Sequence, residues 1–187
     1  KWAKGKGDDC WTLGVPYSSC ELPECLKQGA EAIKWDEKRE KYANQTGTKR
    51  RGVGVAIMNH TSGASPMILE HTFCTVMLNE DGSAMVNIGC SDIGQGADTV
   101  LHQIAAESLG FPMEDVYMKT KDSDANGFDI GAHASRTTFV GGRALMSACG
   151  DVKRQLFERA SHALDASIEQ LDMANKQIFV KDMPERC

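Results

Sequence analysis

Two segments of the chain combine glycine, amide, hydroxyl and guanidinium groups at positions where a helix is expected to begin. The first is Ser91-Asp92-Ile93-Gly94-Gln95-Gly96-Ala97-Asp98-Thr99. Its glycines permit positive φ and let a ligand approach the backbone closely. The helix that follows opens with unpaired N–H groups and a positive dipole end, which suits a phosphate. The Gln95 amide can donate and accept at once. The second segment is Gly127-Phe128-Asp129-Ile130-Gly131-Ala132-His133-Ala134-Ser135-Arg136-Thr137-Thr138, which gathers hydroxyls and a guanidinium at another helix entrance. That set suits a pyrophosphate. Each segment also has a plain structural explanation. The first can be a tight strand-to-helix turn whose glycines serve geometry alone, because a lone Gly-x-Gly is a weak signal. The second can be a Ser/Thr helix cap with a surface arginine. Two such entrances in one chain point to a shared polyphosphate ligand more strongly than either does alone.

The elements that must position these segments are legible from pattern and punctuation. Residues 1–21 hold Gly5, Gly7, Gly14 and Pro16 without a steady period and read as irregular. Pro23 and Glu24 mark a helix start, and the spacing of Leu26, Ala30 and Ile33 predicts one helix over Leu22–Arg39. Gly29 weakens it and points to close packing or a bend. Residues 44–51 form a basic, turn-rich connector, which sets off 22–51 from an α+β domain over 52–187. Val53, Val55 and Ile57 alternate as a strand does. Thr72–Leu78 and Ser83–Ile88, joined by Asn79-Glu80-Asp81-Gly82, predict an antiparallel hairpin. Asp98-Thr99 reads as a cap for a helix through Val100, Leu101, Ile104, Ala105 and Leu109, which Gly110 stops. Val116–Thr120 reads as a strand, and Val140–Leu164 as a long helix. Ser167–Gln170 reads as a capping-box start, and Ile178–Val180 as a last strand. The fold class expected is α+β, an antiparallel hairpin-containing sheet packed with two or more helices. A dinucleotide-binding βαβ unit fits less well. Thr99 stands where its third glycine belongs, and the element before Gly94 reads as a hairpin strand.

Composition excludes several function classes. The 187 residues carry 21 Lys+Arg against 26 Asp+Glu, a net charge of −5, with 6% aromatics. Nucleic-acid binding therefore lacks its electrostatic footprint. No apolar run reaches the ~18 residues of a membrane span, and no secretory signal is visible, so neither membrane nor nucleic acid is expected as a partner. The seven cysteines include no C-x-x-C pair, and their odd number argues against a complete disulfide framework. Reduced thiols in a cytoplasmic protein are expected. The chain opens on Lys1 rather than Met and reads as a piece of a longer protein.

Asp92-Ile-Gly-Gln-Gly-Ala-Asp-Thr99 and Gly131-Ala-His-Ala-Ser-Arg-Thr-Thr138 resemble two segments of one family: the molybdenum-binding large subunits of xanthine dehydrogenases and aldehyde oxidases. The stretch Cys25-Leu26, Gly29-Ala30 and Trp35–Arg39, with Lys49-Arg-Arg-Gly-Val-Gly54, is similar to further recurring pieces, so the likeness runs over residues 20–182. It implies that Gly94, Gln95 and Gly96, with Asp98 and Thr99 at the helix head, hold one side of a molybdopterin. Ala134, Ser135, Arg136 and Thr137 would line its other side and its phosphates, with Thr138 just beyond. The resemblance assigns no contact to His133, which is expected behind that layer at most, with a satisfied loop histidine as its plain explanation. The resemblance implies molybdenum in a molybdopterin, in its cytosine dinucleotide form, with iron–sulfur clusters and FAD on other domains or subunits. It also implies that the rest of the large subunit is a partner. The family hydroxylates a heterocycle, aldehyde or aromatic with water-derived oxygen. Its glutamate base lies in a Gly-x-Gly-Glu context that this chain does not contain, nor does it contain the Arg-Gly-Phe/Tyr-Gly segment. The expectation is therefore a cofactor cradle with no catalytic residue and no direct metal ligand of its own, inactive alone. The alternative is a stand-alone structural or phosphate-binding module.

Overall fold

A computed structural model describes residues 19–58, 60, 62–63 and 70–187. The irregular segment expected over 1–21 lies almost wholly outside the described residues. The chain divides into two compact units, the first ending at Met58 and the second beginning at residue 59. That division falls several residues beyond the expected boundary at 51/52.

In the first unit, α1 (Leu22–Ala32) and α2 (Trp35–Ala43) replace the single helix expected over Leu22–Arg39. The break is at Lys34, which takes a left-handed φ of 54°, and not at Gly29. A left-handed residue closes a helix because its N–H turns back onto the last carbonyls, here Lys34 N to Glu31 O at 3.1 Å. Residues 51–58 form no strand, against expectation. Alternation marks a segment able to lie on a sheet, but a strand needs a hydrogen-bonded neighbour. Val55 and Ile57 instead help line an apolar groove with Leu26 and Ile33 of the α1 segment.

The second unit is built on a three-stranded sheet, β1 (Cys74–Leu78), β2 (Ala84–Ile88) and β3 (Val116–Lys119), in the order β1-β2-β3. β1 and β2 form the expected antiparallel hairpin, with Leu78 opposite Ala84 and Cys74 opposite Ile88. β3 pairs with β2 in parallel, Ala84 opposite Val116. A crossover helix, α3 (Ala97–Leu109), joins them. The strand before Gly94 is thus both the second arm of a hairpin and the first strand of a βαβ unit, which corrects the sequence reading. Period-2 burial explains why this sheet has one core face. Ala84, Val86 and Ile88 are fully buried, whereas Met85 and Asn87 turn the other way and are half-buried.

α3 and α4 (Gly142–Leu164) cover the core face through Leu101, Ala105 and Leu109 and through Leu145 and Cys149. Gly110, at φ 70°, ends α3 with bonds from Gly110 N to Glu107 O and from Phe111 N to Ala106 O, a Schellman ending. α4 is preceded by a π-helical turn, Thr137–Gly141. After α4, the expected capping box at Ser167 and Gln170 is present on a single 3-10 turn. An antiparallel pair follows, β4 (Leu171–Ala174) and β5 (Gln177–Val180). The sequence reading found β5 and missed β4. Among the described residues every cysteine is a free thiol, and no helix is long and apolar enough to cross a membrane.

Candidate functional site

The loop Ser91–Gly96 leaves the end of β2 and turns into α3. Gly94 (φ 104°) and Gly96 (φ 82°) carry the turn, in a region that L side chains rarely adopt. An added Cβ at either would meet nothing within 4 Å, so the loop faces open space. Gly96, rather than Asp98-Thr99, is the helix-capping position; both of those residues lie in the first turn of α3. The cap itself comes from Asp92, whose carboxylate accepts from Gly94 N at 2.7 Å and Asp98 N at 3.1 Å. Those N–H bonds hold the Asp92 carboxyl below its ordinary range. The positive end of α3 is thereby already faced by a protein carboxylate. The Asp98 carboxylate is paired with Lys121 at 2.7 Å, a bond that raises the lysine. The Gln95 side chain folds over its own loop, accepting from Ile93 N at 2.7 Å and donating to Ser91 O at 3.3 Å. One amide hydrogen and one oxygen lone pair remain to it.

The second segment enters the π-helical turn through two successive non-glycine residues with positive φ, Ala134 (48°) and Ser135 (53°). Ala134 is buried, and its carbonyl accepts from Gly63 N. Ser135 is exposed, with Oγ 3.3 Å from His60 Nε2. Thr137 and Thr138 follow in the opening turn, where N–H groups lack intrahelical acceptors.

Arg136 does not stand as expected. Its side chain is fully buried, and all three guanidinium nitrogens bond inward. Nε donates to Glu70 at 2.6 Å. Nη1 donates to both Asp129 oxygens, at 3.1 and 3.0 Å, and to Gly131 O at 3.1 Å. Nη2 donates to His71 O at 2.6 Å and Thr72 Oγ1 at 2.7 Å. Burial alone would lower the guanidinium, but Glu70 and Asp129 outweigh it and raise it. Asp129 is likewise pushed up by burial, yet bonds from Thr72, Gly131 and Arg136 hold it below its ordinary range. The expected direct contact between Arg136 and a phosphate is therefore corrected: the side chain braces the loop from within.

The two segments meet in one cleft of about 410 Å³. Ile93 and Gln95 line it from the first loop; Ala132, His133, Ala134, Ser135, Thr137 and Thr138 line it from the second, with His60 beside them. His133 thus lines the cleft directly rather than standing behind it. Gly94 and Gly96 frame the loop that carries Gln95; Thr99, exposed on α3, and Asp98 are not among the lining residues. The sequence reading missed His60, which no motif surrounds. It named Asp129 only as part of its segment and gave it no role. An aspartate seven residues before an arginine in a glycine-rich loop was the available signal.

An α+β domain with a cleft between two helix-entrance loops defines a ligand-holding module. The comparisons identify its kind. The chain belongs to the molybdopterin cofactor-binding domain family, whose model matches residues 28–186. It is 38% identical over 184 residues to the xanthine dehydrogenase molybdenum-binding subunit of Escherichia coli O157:H7, covering 98% of this chain and 24% of that protein. It is 26% identical over 188 residues to the carbon monoxide dehydrogenase large chain of Afipia carboxidovorans, covering 93% of this chain and 23% of that one. In fold it is similar to quinoline 2-oxidoreductase from Pseudomonas putida 86, with a TM-score of 0.64 and 24% identity over 96% of this chain and 24% of that chain. The chain spans about a quarter of the length of these relatives.

Proposed function

We propose that the cleft between Gln95 and Ala134–Thr138 is one wall of a molybdopterin site, and that the whole protein is the large subunit of a molybdenum hydroxylase. The observation that carries this reading is the convergence of two segments, distant in sequence, on a single cleft. The lining fits the group. It offers a carboxamide with a free donor and acceptor, three hydroxyls and backbone N–H groups, and its glycine loop leaves the space open. Among the described residues no group of three His, Cys, Asp or Glu could hold a metal, so the metal would be held through the pterin and by other parts of the subunit.

In this proposal Gln95 bonds the amide edge of the pterin, and the backbone at Gly94 and Gly96 lets the ring lie close. Ser135, Thr137 and Thr138 donate to phosphate oxygens, in a cytosine dinucleotide to the pyrophosphate. Asp98 and Thr99 hold the head of α3 in place behind that loop. When bound, the cofactor supplies two-electron oxidation and the activation of water at neutral pH. The chain's own residues bind, orient and exclude water. We propose further that the oxidised product is a hydroxylated heterocycle, aldehyde or aromatic, and that electrons leave through iron–sulfur and flavin centres on partner domains or subunits in the cytoplasm. The 187-residue chain alone would neither turn over nor retain the pterin.

Metal analysis and pterin fluorescence of the intact complex test this. Stoichiometric molybdenum and pterin are expected, with both reduced in Gln95→Ala, since a lost hydrogen bond to a buried partner costs roughly 1–3 kcal/mol. An intact complex lacking both refutes it.

A further inference from the structure

We propose that Asp129 is a positioning residue of the cleft, acting through Arg136 to hold the loop that presents Ser135 and Thr137. The inference rests on the reading of the cleft given above. It starts from where the loop is strained. Ala134 and Ser135 both sit at positive φ, 48° and 53°, which L side chains resist. Two such residues in a row persist only where the surroundings over-determine them. Thr137 and Ser135, which line the cleft, stand on either side of Arg136.

The surroundings here are a clasp. Arg136 reaches back across its own loop to Gly131 O at 3.1 Å and to both oxygens of Asp129. Asp129 closes the other end, accepting from Gly131 N at 2.7 Å. The same carboxylate accepts from Thr72 Oγ1 at 2.6 Å, which ties the loop to the segment leading into β1, and Cys90 Sγ lies 3.6 Å away. Residues 129–136 are thus drawn into a ring through a fully buried guanidinium and a carboxylate whose side chain is 5% exposed. With all its nitrogens engaged internally, Arg136 can act on a bound anion only by fixing the backbone on either side of itself.

A buried ion pair can often be replaced by apolar residues with little loss of stability. That provides the discriminating experiment, made on the full-length subunit in its complex. The variants are Asp129→Asn, Asp129→Glu and the double variant Asp129→Leu/Arg136→Met. Three quantities are read: molybdenum per subunit, the half-time of cofactor release, and hydrogen exchange of residues 131–138 in cofactor-free protein.

In Asp129→Asn the release half-time is expected to fall roughly tenfold, the equivalent of one hydrogen bond to a charged group. Exchange over 131–138 should rise, and Asp129→Glu should recover part of both. The apolar double variant also takes the Arg136 donor away from Glu70 and from the His71 and Gly131 carbonyls, so it should regain part of the melting temperature lost in Asp129→Asn and none of the retention. If it regains both, or if Asp129→Asn keeps wild-type retention, the proposal is overturned. Should Asp129→Asn not fold, Thr72→Val, which removes one donor to the carboxylate and one acceptor from the Arg136 guanidinium, is read in its place; wild-type retention there overturns the proposal. If the wild-type complex holds no molybdenum pterin, the reading of the cleft fails. The exchange of 131–138 then decides the positioning role by itself, faster exchange supporting it and unchanged exchange overturning it.

Discussion

Gly141 packs against Cys90 where the two cleft loops adjoin, and Gly141→Ala tests how closely that junction is packed. Cys90 directly precedes the Ser91–Gly96 loop, and Gly141 closes the turn that carries Thr137 and Thr138. A Cβ at position 141 would stand 2.5 Å from Cys90 Sγ and 3.8 Å from Leu101 Cδ2. Comfortable approach between such atoms is about 3.5–4.0 Å, so the sulfur or the turn must give way by about 1 Å. Neither has room: Cys90 is 1% exposed, and Gly141 in the turn is buried. Overpacking of this kind costs about 1–3 kcal/mol. Cys90→Ala removes the sulfur and alone should cost about 1 kcal/mol, as a small cavity does. The double variant should then be more stable than the sum of the singles by about 1–2 kcal/mol, because the added methyl takes the vacated space. Urea unfolding of the chain, followed by far-UV circular dichroism, measures all three. Circular dichroism is needed because Trp2, Trp11 and Trp35 all precede the second unit. A cost for Gly141→Ala below about 0.5 kcal/mol, or strict additivity with Cys90→Ala, refutes the reasoning.

The buried thiols give a further prediction. Burial pushes Cys74 up to about 12 and Cys90 and Cys149 up to about 11. A disulfide reagent at pH 8 should therefore modify exposed Cys25 at once and reach these three only on unfolding. Because the folded values are raised, the thiols favour the folded state at neutral pH, and that contribution should fade as the pH climbs from about 9 toward 11, seen as a falling midpoint. At the other end of the scale, Asp92 is held below its ordinary range by bonds from Gly94 N and Asp98 N. Its contribution is complete above the ordinary carboxylate range and is lost as the pH falls through its depressed value. Asp92→Ala should remove that acid-side loss and speed hydrogen exchange at Gly94 and Asp98, whereas unchanged exchange would count against the cap.

What the sequence disclosed follows from how far each signal reaches along the chain. Gly110 and the capping box at Ser167 are local signals, complete within a few residues, and both are realised. The hairpin was legible because Asn79–Gly82 joins two alternating runs directly. The parallel partnership of β2 with β3 was hidden, since no residue of Val116–Lys119 states which strand it will join. β4 escaped because its turn uses Asn175-Lys176, both at positive φ, where Lys replaces the glycine that advertises such turns. Val53–Ile57 failed in the opposite sense: the alternation is genuine, but a ladder needs a second strand. Of the site, the two motif segments were visible and were expected to share one ligand; which of their side chains line the cleft was not legible. His60 had no motif around it, and its place beside Ser135 is set by tertiary contacts alone.

The charge chemistry of the cleft differs from what its residue types promised, and the difference has one cause. An arginine and a helix entrance both look like anion ligands when read as letters. In the fold each is answered by a carboxylate of the protein: Arg136 by Asp129 and Glu70, the head of α3 by Asp92. A cleft whose arginine faced outward would attract any anion, and its side chain would be free to move. With the guanidinium turned inward, the side chains lining the cleft are three hydroxyls, one carboxamide, two imidazoles and the apolar Ile93, Ala132 and Ala134. Such groups reward a ligand for shape and hydrogen-bond geometry more than for charge. Of the two entrances, the one at Ser135–Thr138 contributes residues to the cleft lining and Asp98–Thr99 does not, so the proposed phosphate contact is assigned to the former. The buried ion pairs beneath it serve the site by holding strained backbone in place, a task for which a rigid fork between two carboxylates is better suited than a flexible lysine.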